Sequence, residues 1–402
     1  MTPEPALVVP APRGCPFAPP AGYQRLREES PVSRVALPNG RPAWAVARHE
    51  DIRALLGDPR FSSDRAHPGF PSLLAADRPE AARGTASLIS MDPPEHGPAR
   101  REVLGEFTVR RMQALRPRIQ QIVDRQLDLL AAGPRPADLV TALSLPVPSL
   151  VICELLGVPY ADHDFFQDRS ARILRHTTPE PERQQVQREL GGYLRDLVAR
   201  KVADPGDDLL GRQVVRQREA GAVRPRDLAA LAFLLLIAGH ETTSNMISLG
   251  VLALLENPEV KEAIRANPAR TPAAAEELLR YLSIVDVAVA RTATADAEIG
   301  GVLIRAGEGV VMLSSAANRD PAAFGHADEL DIDRAERHHL AFGFGPHQCL
   351  GQNLARLELR IVFDTLLRRI PGLRLAVPLD EVPFKDDAII YGAYELPVTW
   401  SS

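Results

Sequence analysis

The chain has 402 residues, of which 45% are hydrophobic, and a formal net charge of -5. That is ample apolar material for a large core, and more length than most single cores use. The near-neutral balance argues against a nucleic-acid binder or a polybasic membrane protein and leaves a small or neutral ligand as the expected partner.

Cys15, Cys153 and Cys349 are too few and too scattered to form a disulfide framework, so a cytoplasmic protein is expected. The first twenty residues hold seven prolines and no apolar signal-peptide core. They read as an irregular arm over residues 1–20, ahead of a single domain over 21–402 that no repeat or Gly/Ser linker divides. The longest apolar run, residues 228–239, has twelve residues, short of the roughly 20 needed to span a bilayer. A core helix is expected there, and no membrane association.

Short β-type runs at 34–37 and 43–47 open the folded part. Further on, Asp92-Pro93-Pro94-Glu95-His96-Gly97-Pro98-Ala99-Arg100 sets His96 and Arg100 four apart at a helix start, where both share one face. Pro98 departs from a smooth helix and weakens the register of His96 more than that of Arg100. Helical spacing of apolar residues follows over 110–131, 146–156, 184–202, 226–256 and 271–282. Within this region Cys153 lies in the apolar run 151–156 and reads as a core residue.

The long helix over 226–256 contains Leu234-Leu235-Leu236-Ile237-Ala238-Gly239-His240-Glu241-Thr242-Thr243, which places polar groups abruptly in an apolar setting. Burying them is costly unless they are satisfied or used. Gly239 weakens the helix, and the Thr242 hydroxyl can bond back to the Ala238 carbonyl, loosening the backbone enough to admit a water. A merely structural, back-bonded threonine fits the same residues. His240-Glu241 begins like the zinc pattern His-Glu-x-x-His, but the second ligand position is Ser244, which removes that reading. Glu277 and Arg280, three apart on the next helix, are within ion-pair reach; a solvated pair is the plain alternative. β-type runs at 285–291, 299–304 and 310–313, punctuated by Gly300-Gly301 and by Gly307 and Gly309, look like further pieces of one small sheet with the early runs. The expected fold class is therefore mainly α with a small β-sheet region.

The strongest local signal is Phe342-Gly343-Phe344-Gly345-Pro346-His347-Gln348-Cys349-Leu350-Gly351, followed by helical spacing over 353–369. The glycines let a backbone turn tightly and approach a flat ligand. A cysteine just before a helix N-terminus is favoured as thiolate by the free N–H groups and the dipole. Thiolate is the ligand through which a haem iron gains electron density for O–O cleavage. A buried cysteine beside a Gly-rich turn is the bland alternative.

Phe342, Gly345, Cys349 and Gly351 match all four fixed positions of Phe-x-x-Gly-x-x-x-Cys-x-Gly, and on these residues the chain resembles the cytochrome P-450 family. The resemblance implies the cytochrome P-450 fold, haem b (iron protoporphyrin IX) held between the central helix and the cysteine loop, Cys349 as its iron ligand, and a monooxygenase activity. Ala238, Gly239, Glu241, Thr242 and Thr243 resemble the family's oxygen-activation motif. This implies that Ala238 borders the cofactor, that Thr242 bonds to bound dioxygen and that Glu241 relays protons from solvent. Glu277 and Arg280 resemble the family's Glu-x-x-Arg motif, which implies a buried charge network joined by a later arginine, expected to be Arg319 in Asn318-Arg319-Asp320-Pro321. His96, Arg100, Arg291 and His347 resemble the family's donors to the haem propionates, which are carboxylates suited to such cations.

The resemblance runs from about Phe61 to the C-terminus with the motifs in the same order. Residues 235–249 are most similar to the soluble actinobacterial members that hydroxylate macrolides, sterol-like compounds and xenobiotics. It implies electrons from a ferredoxin and its reductase, with Arg100, Arg101, Arg356 and Arg360 forming either the basic side of that contact or a solvated face. It also implies a monomer acting on a bulky lipophilic small molecule, lined by residues 62–89, 162–190, 285–289 and the turn at Ala388-Ile389-Ile390. Two competitors stand beside this reading. A haem-thiolate peroxygenase or non-oxidative haem enzyme would often lack the acid–alcohol pair, and a non-catalytic haem sensor would carry an attached module for which 402 residues leave no room.

Overall fold

Residues 7–73, 87–174, 178–287, 289–386 and 388–401 are described by the computed structural model of the chain. Two units emerge: the first comprises Met1–Pro98, Glu256–Gln352 and Phe384–Gly392, the second Ala99–Leu255, Asn353–Pro383 and Ala393–Ser402.

In the first unit a five-stranded sheet runs in the order Val32–Ala36, Pro42–Val46, Gly309–Met312, Ala290–Ala293, Phe61–Ser62. Its pairs are antiparallel except the second, where Trp44 faces Val310 in a parallel register. Because successive strand residues point to opposite faces, Val46, Val310, Met312 and Ala293 pack with Ile52, Leu55 and Leu56 of helix His49–Gly57 on one side. Val35, Ala43, Ala45, Val311 and Ala290 pack with Val9 and Tyr23 on the other. The late β-type runs are shorter and less united than the composition implied. Residues 299–304 are not one strand but part of a separate hairpin, Ala297–Ile299 with Val302–Ile304. Gly300 (φ 54°) and Gly301 (φ 77°) turn it through the left-handed region, as a two-residue hairpin loop requires. Of residues 285–291 only the end is strand; Val285 makes a single bridge to Ile390. The described part of the Pro-rich arm is docked on the sheet. Val9 donates to the Ala36 carbonyl and Ala36 to that of Leu7, both at 2.9 Å.

The second unit is helical. Val109–Ala132, Pro146–Leu156, Glu180–Ala203 and the central helix Pro225–Glu256 form where the 3.6-residue spacing placed them, and Gln352–Arg369 follows the cysteine loop. Thr271–Leu282 does the same in the first unit. His163–Leu174 and Leu209–Glu219 are further helices that the sequence reading did not place. The central helix is buried on every side from Thr243 to Leu254. At Gly250 a Cβ would stand 2.5 Å from the Phe363 ring, so glycine there lets the central helix and Gln352–Arg369 meet closely. A three-stranded sheet, Ala137–Asp138, Pro397–Thr399 and Arg374–Leu375, ties the chain's end into this unit. Among the described residues no helix is long and apolar enough to cross a membrane.

Candidate active site

The cysteine loop is shaped by two left-handed glycines, Gly343 (φ 67°) and Gly345 (φ 72°). At Gly345 a Cβ would also lie 2.6 Å from the Leu56 carbonyl oxygen, so the loop rests directly on the end of helix His49–Gly57. A short turn, Gly345–His347, brings the Gln348 N–H to the Gly345 carbonyl at 3.0 Å and the Cys349 N–H to that of Phe342 at 2.8 Å. The Arg53 guanidinium covers the Phe344 ring at 4.4 Å. Held this way, Cys349 is exposed three residues before helix Gln352–Arg369, where helix-end N–H groups favour an anionic sulfur. Cys153 is the opposite case: it is buried, and burial pushes its thiol up, out of the reactive range. Cys15 is exposed on the arm.

The cations expected around an anionic ligand have distinct settings. Arg291, 8% exposed, sits at the inner strand Ala290–Ala293 and bonds, among the described residues, only to the Ala290 carbonyl at 2.8 Å. Burial pulls its guanidinium down to about 10, with Asp92 opposing the shift through space. A buried arginine with one neutral partner is costly and suits an anion supplied from outside the chain. His96 is buried and stacks on His347 with ring centroids 3.9 Å apart, tying the start of helix His96–Leu104 to the cysteine loop. Pro98 does not disturb this helix. It occupies the first turn, where its missing N–H has no helical partner to lose. Arg100 is half-buried in the same helix.

On the central helix Ala238 is exposed, five residues before the stretch from Thr243 onward that is buried all round. The Thr242 hydroxyl donates to the Ala238 carbonyl at 2.6 Å, the back-bond the sequence suggested, without interrupting the helix. Glu241 is half-buried beside it. His240 turns the other way: it is fully buried and its Nε2 pairs with the Leu145 carbonyl at 3.2 Å. Among the described residues no group of three His, Cys, Asp or Glu side chains is poised to hold a metal.

Taken one by one, the exposed cysteine on its glycine-bent loop would suit the thiolate contact of haem b, the buried arginine a propionate and the open alanine the ring. The family model for Cytochrome P450 matches residues 180–388. Cytochrome P450-SOY of Streptomyces griseus is 52% identical over 99% of this chain and 96% of its own. A vitamin D3 dihydroxylase of Streptomyces griseolus is 50% identical over 98% of this chain and 97% of its own. The crystal structure of cytochrome P450 MoxA from Nonomuraea recticatena superposes with a TM-score of 0.94 at 58% identity, covering 98% of this chain and 99% of that one. The chain belongs to the cytochrome P450 family. It has that family's mainly helical fold with small sheets, takes haem b as cofactor and is a monooxygenase acting on small molecules.

One expected partnership in this P450 is not the one formed. Glu277 and Arg280 are 1% exposed at their side chains and pair in two places, Arg280 Nε to Oε2 at 2.8 Å and Nη2 to Oε1 at 2.7 Å. The third member is Arg334, not Arg319. The Nε of Arg334 reaches both Glu277 oxygens at 3.2 Å, and the Asp331 N–H adds a bond to Oε1 at 2.9 Å. Among the described residues Arg319 makes no bond to Glu277: it donates to the carbonyls of Phe17 at 2.6 Å and Tyr281 at 2.9 Å, covers the Tyr281 ring and touches the network only through the Ala327 carbonyl, at 3.4 Å, which Arg280 also uses. Its place just after helix Ser314–Ala317 aims it there. Arg334 lay in Asp331-Ile332-Asp333-Arg334, a polar stretch with no periodic signal; only the return of the chain brings it to Glu277. Of the stretches expected to line the substrate, residues 74–86, 175–177 and 288 lie outside the described residues. Ser62 and Ser63 are anchored by the Asp92 carboxylate, which accepts from the Ser62 hydroxyl and from the Ser63 N–H at 2.7 Å.

Proposed function

We propose that residues 21–402 act as one haem-thiolate monooxygenase domain in which Cys349 is the iron ligand, and that the protein hydroxylates or epoxidises a bulky lipophilic small molecule. Haem b, once bound, supplies the site for dioxygen and the oxygen-transfer chemistry. The chain's own part is positional and protonic. Arg100, Arg291, His96 and His347 hold the propionates, Ala238 leaves room for the ring, Thr242 turns its hydroxyl from the Ala238 carbonyl toward dioxygen, and Glu241 brings protons from solvent. The relative named as a vitamin D3 dihydroxylase favours a macrolide, sterol-like or xenobiotic substrate class. Electrons come from a ferredoxin and its reductase, with Arg100, Arg101, Arg356 and Arg360 as the basic side of the contact, and the working form is a cytoplasmic monomer.

The observation that carries this reading is the exposed Cys349 on its two left-handed glycines. The test is the reduced, CO-bound absorption spectrum of the haem-loaded protein beside that of Cys349→Ala. The parent is expected to give the red-shifted band of thiolate ligation and the variant to lose it. An unchanged spectrum in Cys349→Ala sinks the assignment.

A further inference from the structure

We propose that Arg13, on the N-terminal arm, is a positioning residue for substrate selection. It fixes from behind the two segments that face the substrate, residues 285–289 and the turn at Ala388-Ile389-Ile390. The proposal rests on the reading that these segments line the substrate site.

Helix Thr271–Leu282 ends with Ser283 in the left-handed conformation, φ 42°. The guanidinium of Arg13 caps this end, donating to the Leu282 carbonyl at 2.9 Å and to the Ser283 carbonyl at 3.0 Å. A cation on the last carbonyls of a helix is favoured by their partial negative charge. The same guanidinium lies on the Tyr391 ring, 4.3 Å from its centroid. Tyr391 donates its N–H to the Ile284 carbonyl at 3.0 Å, and Val285 bridges to Ile390. One side chain therefore grips Leu282 and Ser283, the latter two residues ahead of the first segment, and Tyr391, directly after the second, beside the point where the two are joined. Behind them, Val287 packs with Val9 and Tyr23, and the Tyr23 hydroxyl accepts the Ala11 N–H at 2.9 Å. Asp286, buried, is clamped by Ser315 through the hydroxyl at 2.6 Å and the N–H at 2.9 Å. The arm thus backs the segment that is read as facing substrate, and Arg13 touches the chain next to both segments.

An arginine suits this post because its planar fork gives two carbonyl bonds and a stacking face at once, which an ammonium does not. Losing it frees the helix end and the Tyr391 turn to shift together. A displacement of about an ångström in a positioning element costs on the order of tenfold or more.

The experiment uses the haem-loaded full chain and two iron-binding probes read by the Soret shift: clotrimazole, which needs the pocket walls, and imidazole, which does not. In Arg13→Ala we expect clotrimazole to bind about tenfold more weakly, imidazole within twofold of the parent, the thiolate CO spectrum intact, and Arg13→Lys in between. Tyr391→Leu, which removes only the stacking face, weakens clotrimazole in the same direction and serves if Arg13→Ala does not accumulate. Val289→Phe and Ile389→Ala, in the segments themselves, report on the lining reading. If those two alter clotrimazole binding while Arg13→Ala and Tyr391→Leu leave it unchanged, the positioning role is refuted and the lining reading survives. If Val289→Phe and Ile389→Ala also leave it unchanged, the lining reading falls and takes the proposal with it.

Discussion

Glu277→Gln is the most informative single change in the charge network, because it keeps the shape and removes only the charge. In the parent, one carboxylate answers two buried guanidinium groups, Arg280 and Arg334, through four side-chain bonds of 2.7 to 3.2 Å. The arginines spread their remaining donors over carbonyls: Arg280 reaches Asn318, Ala327 and Glu329, and Arg334 reaches His326 and Glu329. Replacing the anion leaves two cations, 1% and 3% exposed at their side chains, without a counter-charge. Breaking a buried pair by removing one partner costs about 3–5 kcal/mol. Arg334→Gln costs less, because Glu277 and Arg280 remain matched. Urea unfolding followed by both the Soret band and far-ultraviolet circular dichroism measures these losses. The double-mutant cycle decides which arginine belongs: Glu277 with Arg334 is expected to couple by about 1–3 kcal/mol, and Glu277 with Arg319 by no more than about 0.5 kcal/mol. A Glu277→Gln loss under about 1 kcal/mol, or a larger coupling to Arg319 than to Arg334, refutes the network as drawn.

Glu358, buried on helix Gln352–Arg369, has its carboxyl raised to about 8 by burial alone. A folded value above the unfolded one means stability that is complete below the unfolded value and lost as pH rises through the folded one. Glu358→Gln escapes that loss, so its advantage over the parent grows by roughly 1.4 kcal/mol per pH unit between about 4.5 and 8 and is flat outside that window; parallel pH curves in urea titrations contradict it. Thr242→Ala, which deletes the hydroxyl on the Ala238 carbonyl, is expected to keep consuming NADPH while product per NADPH falls by about tenfold or more, with Thr242→Ser near the parent; tight coupling in Thr242→Ala removes Thr242 from proton delivery. Arg291→Met, which withdraws the buried guanidinium, is expected to release haem to apomyoglobin at least about tenfold faster than the parent, and equal rates exclude a propionate contact.

The helices were legible where apolar residues recur every three or four positions or run on as a buried stretch. Val109–Ala132, Pro146–Leu156, Thr271–Leu282 and Gln352–Arg369 begin and end within a residue or so of the apolar pattern. The sheet was legible only in part, because its strands are two to five residues long and pair across long stretches of chain. Phe61–Ser62 finds its place only through Thr292 and Ala293. The back-bond of Thr242 could be read locally because donor and acceptor are four residues apart on one helix. Arg334 could not, because its acceptor lies 57 residues away. For the same reason the Pro-rich arm read as a featureless start. Nothing in its composition says that Arg13 meets carbonyls 269 and 270 residues on.

The residues that stand out in the fold are those where a local rule is broken. Ala238 is exposed next to the sealed half of its helix, Arg291 is buried with a carbonyl as its one hydrogen-bond acceptor among the described residues, and Gly345 takes a conformation that any side chain would strain against the Leu56 carbonyl. The glycine satisfies its position without strain, whereas the open Ala238 and the buried Arg291 are departures that the proposed haem would answer, the one by ring contact and the other by a propionate. Departures of this kind are expected at functional sites. Their agreement on one cofactor is stronger than the motif around Cys349 by itself, because the buried charge of Arg291 and the opening at Ala238 arise on different elements and obey different physics. The Glu277 network differs in kind: its charges are matched within the chain, so the fold carries it with or without cofactor. Haem loading should therefore leave the Glu277–Arg334 coupling unchanged while it reverses the cost of burying Arg291.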